Sequence, residues 1–382
     1  MRIIKILQSV GVLALTGAMA AAVAQPVTVG VVASATGSGA VLGIPYKNVF
    51  EILPRTMGGQ DVNYVFLDDT SDVTTGVKNA RKLLDEDKVD VLVGSNSVPV
   101  TMAIMQLATE TGVPHLSLSP IEVDAAKAPW TFGVPQPIGL MMGEVVDDMK
   151  KRGITQVAYI GFADSWGDAV YRTLMDQGAK AGMTITTNER YQRNDTSVTT
   201  QVLKMMQGNP QAVVVGASGA AGALPHMALN ERGYKGLVYN THGSVSPDFI
   251  RIGGAAAEGA QAPAGPYLFA GQLPDTNPIK PVAAKALARY DEAYGAKARS
   301  PFAGYAFDAY ELLNAAVPVA AKNATPGTPQ FRKALRDALE NDVKEVVGTM
   351  GIYTMSPTDH NGLDERARVR VKVENGGWKV QQ

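Results

Sequence analysis

Residues 89–121, VDVLVGSNSVPVTMAIMQLATETGVPHLSLSPI, constrain the fold more tightly than any other stretch of the chain. An apolar run at 89–93 suits a buried strand, and four small or polar residues follow it, Gly94-Ser95-Asn96-Ser97. An apolar-faced helix over 98–111 and a second buried strand at 113–118 complete the run. Strand, loop, helix and strand in that order form a βαβ unit of a parallel sheet. Ligands of open α/β sheets bind at the carboxyl ends of strands, where free helix-start N–H groups favour anions. Both loops of the unit, 94–97 and 117–120, put hydroxyls at that edge, so the unit predicts half of a binding cleft.

The same rhythm runs on either side. A strand at 27–32 ends in a loop of tiny residues, 33–40, ahead of a helix over 42–57. A strand at 62–67 ends in Asp68-Asp69, and a helix over 73–85 leads into the opening unit. Neighbouring strand residues face opposite ways, so the two aspartates read as loop and helix capping rather than a paired acid. After Trp130, Gly133-Val134-Pro135-Gln136-Pro137 reads as a crossing between domains. The alternation then restarts, with strands at 156–160, 184–190, 212–215 and 236–239 and helices over 140–152, 168–181, 198–208 and 221–232. A second small-residue stretch at 260–265 predicts another crossing. Helices over 278–294, 301–321 and 330–340 follow, and the tail at 351–380 carries the turn signals of antiparallel strands.

A chain of 382 residues has the length for two domains. The expected fold class is α/β, two doubly wound Rossmann-like lobes joined by crossing hinge strands. The first lobe is expected from 25–138 plus 267–346, the second from 139–266 plus 347–382.

Residues 1–24 stand outside that fold. Arg2 and Lys5 precede an apolar run at 10–22, too short for a bilayer span, which ends in an A-x-A site, Ala22-Val23-Ala24. This reads as a cleaved secretory signal peptide and places the mature chain in an exported compartment, most simply a bacterial periplasm. The chain has no cysteine, so neither a disulfide framework nor a lipid-bearing thiol is expected. Its net charge of −1 leaves no basic footprint for nucleic acid.

Catalytic constellations are missing from the sequence. His115, His226, His242 and His360 show no metal-ligand spacing. Gly216-Ala217-Ser218-Gly219 lacks the spacing of a nucleophile elbow, and Gly216, Gly219 and Gly222 lack that of a dinucleotide loop. No enzyme activity, metal or cofactor is expected.

A series of fragments carries a family resemblance across residues 27–355. It begins with Val29-Gly30-Val31, the loop ending Ser38-Gly39, and Gly58-Gly59 ahead of Asp68-Asp69. Ala80-Arg81-Lys82-Leu83, Asp87-Lys88-Val89-Asp90 and Val93-Gly94 come next, then Gly112-Val113-Pro114 before Leu116-Ser117-Leu118-Ser119. Trp166-Gly167 and Ala257-Glu258-Gly259 complete it. In order and spacing the series resembles the branched-chain amino acid (Leu/Ile/Val-type) binding family of type I periplasmic binding proteins, the solute-binding components of ABC importers.

That resemblance implies a monomer that holds a small-molecule ligand between lobes closing about a hinge, with permease subunits in the inner membrane as partners. Carried over by position, Ser97 and Val98 meet a ligand carboxylate through hydroxyl and backbone N–H. Ser119 and Ile121 offer a carbonyl and an N–H. Leu42 overhangs the ligand from the first lobe and Trp166 covers it from the second. Ser218 and His242 fall where amino acid binders help hold an α-ammonium. Each residue also has a plainer role open to it: capping for the serines, core packing for Leu42 and Trp166, a tight turn for Ser218, and a satisfied loop histidine for His242.

The departures from the family set the expected ligand. Amino acid binders carry an acid at the position of His242, because an ammonium needs a carboxylate to offset its desolvation. Here Asn240-Thr241-His242-Gly243 holds none, Ser218 replaces a large aromatic, and Ile121 lacks the usual hydroxyl. The expectation is a carboxylate with an apolar or aromatic body, with His242 neutral or cationic. The alternatives are a branched-chain or other amino acid carried by the same importer class, and a sensor domain that presents its ligand to a membrane receptor.

Overall fold

A computed structural model describes residues 25–381; the expected signal peptide at 1–24 lies outside the described residues. The first lobe begins with β1 (Val27–Ala33), α1 (Ala40–Ile52), β2 (Thr56–Met57), β3 (Gln60–Asp68) and α2 (Val73–Asp85). It continues through β4 (Val91–Gly94), α3 (Val98–Thr111), β5 (His115–Ser117) and β6 (Thr131–Gly133). The sheet runs β2-β3-β1-β4-β5-β6, parallel except for β2. Strand order reverses between β1 and β4, so the loops leaving those strands part company there and open a crevice. Asn96 spans it, accepting from Ser34 N–H at 2.7 Å. The expected capping role of Asp68-Asp69 matches the bonds seen: Asp68 accepts from Ala35 and Thr70 N–H, and Asp69 from Ser95 Oγ at 2.5 Å.

The second lobe repeats the plan with α4 (Ile138–Lys151), β7 (Gln156–Phe162), α5 (Ser165–Lys180), β8 (Thr184–Ile185), β9 (Glu189–Tyr191) and α6 (Thr199–Gln207). Next come β10 (Ala212–Gly216), α7 (Leu224–Glu231), β11 (Leu237–Asn240), α8 (Pro247–Gly253) and β12 (Gln261–Ala264). After β12 the chain returns to the first lobe as α9 (Ile279–Tyr294), α10 (Ala303–Asn323), α11 (Pro329–Asn341) and the hairpin β13 (Val346–Val347) with β14 (Ile352–Tyr353). A terminal hairpin, β15 (Val369–Glu374) and β16 (Gly377–Val380), lies antiparallel on the second sheet. That sheet runs β16-β15-β12-β11-β10-β7-β8, with β9 also on β7, and its order reverses between β7 and β10.

Four boundaries differ from expectation, each for a local reason. The first helix stops at Ile52 rather than 57, because Pro54 forces Leu53 into extended backbone (φ −60°, ψ 152°). The strand expected over 184–190 is split into β8 and β9, since the Thr187 hydroxyl, 3.2 Å from both Tyr159 N and Tyr159 O, takes over the ladder bonds between them. α5 starts at Ser165, three residues early, because Asp164 caps it through Trp166 and Gly167 N–H. The return to the second lobe comes later than the expected 347, which falls inside the β13–β14 hairpin: Met350, Ile352, Tyr353 and Met355 pack in the first-lobe core with Val29, Val31 and Leu313.

Three segments therefore cross between lobes, 134–137, 265–266 and 356–368. Gln136 ties the first to the third. Its buried Nε2 donates to Met350 O (3.1 Å) and Ala367 O (2.7 Å), while its Oε1 accepts from Tyr305 OH (2.8 Å). Beside it, buried Asp308 accepts from Met350 N–H and Tyr353 OH, at 2.9 and 2.8 Å. Among the described residues no helix is long and apolar enough to cross a membrane.

Candidate functional site

The carboxyl ends of both sheets converge on one cavity between the lobes, with about 420 Å³ of empty space counting its open mouth. Leu42, Tyr46, Asn96, Val98, Leu118 and Pro120 wall it on one side with Phe302 and Tyr305; Trp166, Arg193, Ser218, His242 and Gly243 wall it on the other. No acidic side chain is among the lining residues, and Arg193 is their one cation.

The first-lobe wall is apolar, and its polar side chains are spoken for. Tyr46 OH donates to Leu118 O (3.3 Å), Tyr305 OH to Gln136, and Asn96 Nδ2 to Gly39 O (3.4 Å). The second-lobe wall is different. Gly167 lets α5 begin hard against the end of β7, since a Cβ there would sit 1.9 Å from Phe162 O. That close approach swings Trp166, in the first helical turn, into the cavity wall, where it is 3% exposed. Its Nε1 has no hydrogen-bond partner, and neither has His242 Nδ1. The two rings meet edge to face, centroids 5.8 Å apart at 87°. Burial pushes the His242 imidazole down to about 4, so at neutral pH it is uncharged. Of the two states expected for His242, the neutral one holds, and the positive charge of the site resides on Arg193.

Arg193 was not foreseen. It sits in Gln192-Arg193-Asn194-Asp195, a run that reads as a solvated loop, yet it follows β9 at the carboxyl edge of the sheet. Its Nε donates to Asp164 Oδ2 at 2.7 Å and its guanidinium lies 4.3 Å over the Phe162 ring. Nη1 is 3.4 Å from Ser218 Oγ, so this cation borders the room that a small residue at 218 leaves.

Of the residues singled out by sequence, Leu42, Val98, Trp166, Ser218 and His242 lie on the cavity wall. Three do not. Ser119 is fully buried behind it: its Oγ donates to Ser95 O (2.8 Å) beside Thr101 Oγ1, and its N–H donates to Ser117 Oγ. Ser97 precedes α3 without capping it and lines an outer cleft with Ser38, Ser71, Asp164 and Arg193. Ile121 lines a groove on the opposite side with Met102 and Ala169, its N–H and C=O already bonded to Ser119 O and Asn361 Nδ2. No group of three or more His, Cys, Asp or Glu that could hold a metal occurs among the described residues.

A family model described as periplasmic binding protein matches residues 26–377. The chain is similar to the solved structure of an extracellular ligand-binding receptor from Rhodopseudomonas palustris HaA2, at 43% identity and TM-score 0.91, covering 94% of this chain and 100% of that one. It is similar at 41% identity and TM-score 0.91 to Rp1789 from R. palustris strain CGA009, again over 94% and 100% of the two chains. A solute binding protein of an ABC transporter from R. palustris, solved in complex with benzoate, shares the fold at 18% identity and TM-score 0.73, over 93% and 95%. Curated proteins give no match.

Proposed function

The chain belongs to the periplasmic binding protein family, and on that footing we propose that it captures a small organic carboxylate with an apolar or aromatic body between its lobes and delivers it to the permease of an ABC importer. The observation that carries the reading is the composition of the cavity wall: four aromatic rings, one cation and no acid. A zwitterionic amino acid would leave its ammonium buried without a counter-ion, at a cost of several kcal/mol. A carboxylate on an aromatic frame leaves nothing unpaired, and Trp166, Tyr46, Phe302 and Tyr305 offer faces and edges for its ring. The R. palustris relative solved with benzoate supports that ligand class, and its ABC transporter supports the hand-off to a permease. The signal peptide read at 1–24 puts the mature chain in the periplasm, where the family works. Capture and release need no bond-making.

Isothermal titration of ligand-stripped protein tests this. Benzoate or 3-phenylpropanoate is expected to bind with micromolar or tighter affinity and leucine to give no heat. Tight leucine binding with inert arylcarboxylates would overturn the reading.

A further inference from the structure

We infer that the ligand is held head-to-second-lobe, with Arg193 as the counter-ion of its carboxylate and its apolar body against the first lobe. The inference rests on the carboxylate reading above and reverses the polarity expected from Ser97 and Ser119.

The argument is one of donors without acceptors. On the first-lobe side every polar side chain at the cavity already has a partner, and the Ser119 hydroxyl is consumed behind the wall. On the second-lobe side two buried ring nitrogens lack partners, and a cation stands beside them. Trp166 Nε1 is buried and unpartnered, His242 Nδ1 likewise, a donor in its Nδ1–H tautomer, and the Arg193 fork commits Nε to Asp164 while Nη1 lies 3.4 Å from Ser218 Oγ at the cavity. A buried donor left unpaired is destabilising, so an acceptor arriving with the ligand relieves a standing penalty. A carboxylate brings two oxygens with about four acceptor sites, enough for a guanidinium edge and both rings.

The guanidinium is also held ready. Asp164 Oδ1 is anchored by Trp166 N–H (3.0 Å) and Gly167 N–H (3.2 Å), so the acid that orients Arg193 is itself fixed to the start of α5. The Phe162 ring holds the guanidinium plane from below. Arg193 further lines both the central cavity and the outer cleft beside Ser97, which it shares with its partner Asp164.

The test uses the full mature chain, with benzoate, 3-phenylpropanoate, their two amides and leucine as probes. Wild type is expected to bind a carboxylate at least tenfold more tightly than its amide. Arg193→Gln should weaken carboxylate binding by about 30-fold or more and erase the preference over the amide, since truncating one partner of a hydrogen-bonded charge pair commonly costs 2–5 kcal/mol. Ser97→Ala should stay within about threefold of wild type, and the circular dichroism melt of each variant shows that it is folded. If Arg193→Gln keeps both affinity and acid-over-amide preference while Ser97→Ala loses them, the head lies on the first lobe and the inference fails, with the carboxylate reading intact. Wild type binding leucine and none of the acids removes both.

Discussion

Burial holds the imidazoles of His115, His226 and His242 down at about 4. An unfolded chain titrates its histidines near 6.5, so between about 6.5 and 4 the unfolded state binds protons that the folded state refuses. Stability from these groups is complete above that window and is lost as pH falls through it, at about 1.4 kcal/mol per pH unit for each. Burial pushes the Asp308 carboxyl the other way, up to about 7 against the hydrogen bonds it accepts. The folded state therefore keeps one proton that the unfolded state releases as pH rises from 3.8 to about 7. Three protons against one leave the histidines in control. The melting midpoint of ligand-free protein is expected to drop by several degrees from pH 7 to pH 5, and a midpoint that held or rose would show that these rings are charged in the fold. The places of His242 and Trp166 on the cavity wall were findable from the family pattern. Arg193 was not, because a cation flanked by Gln, Asn and Asp looks solvated until Phe162 and Asp164, roughly thirty residues upstream, are brought beside it. Ser119 misled for the same reason: the groups that absorb its hydroxyl are 18 and 24 positions away.

At the level of elements, the start of α5 joins stability to binding. Asp164 caps it and also positions Arg193. Thr328 caps α11 by accepting from Phe331 N–H (3.2 Å), with no cavity residue involved. Replacing either by Ala should cost about 1 kcal/mol in urea unfolding. Only Asp164→Ala should also loosen carboxylate binding, by about tenfold, the expected scale for a guanidinium that has lost its fixed partner. Equal affinities in the two variants would separate the cap from the site. Elements whose pattern is long were legible: α3 runs over 98–111 and α2 over 73–85, as their periodicities indicate. The short ones were not, since a single threonine hydroxyl splits β8 from β9 and a single proline shortens α1. Whether a side chain replaces a backbone rung is decided across the sheet and leaves no mark on local periodicity.

For the molecule as a whole, Gln136 is where the crossings are joined. One amide on the first crossing bonds Met350 O, just before the third, and Ala367 O, near its end, and accepts from cavity-lining Tyr305. Gln136→Ala strips partners from two buried carbonyls and a phenol, each worth about 1–3 kcal/mol when unpaired. Amide hydrogen exchange over 349–368 is expected to quicken at least tenfold while the two sheet centres keep their protection. Quickened exchange only in the sheets, or no change over 349–368, would mean that the crossings do not depend on this amide. The two-lobed plan itself was readable from the repeated βα rhythm; the late position of the last crossing was not, because the β13–β14 hairpin belongs to the first-lobe core through contacts with α10 rather than through its sequence.

Because the described residues cross three times, and three is odd, Gln25 lies on one lobe and Gln381 on the other. Val27 opens the middle strand of the first sheet, and Val380 closes the edge strand of the second. Any change in the angle between the lobes is therefore also a change in the separation of these two residues. A pair of dyes attached near Gln25 and Gln381 would convert solute capture into a colour ratio without a label anywhere near the cavity.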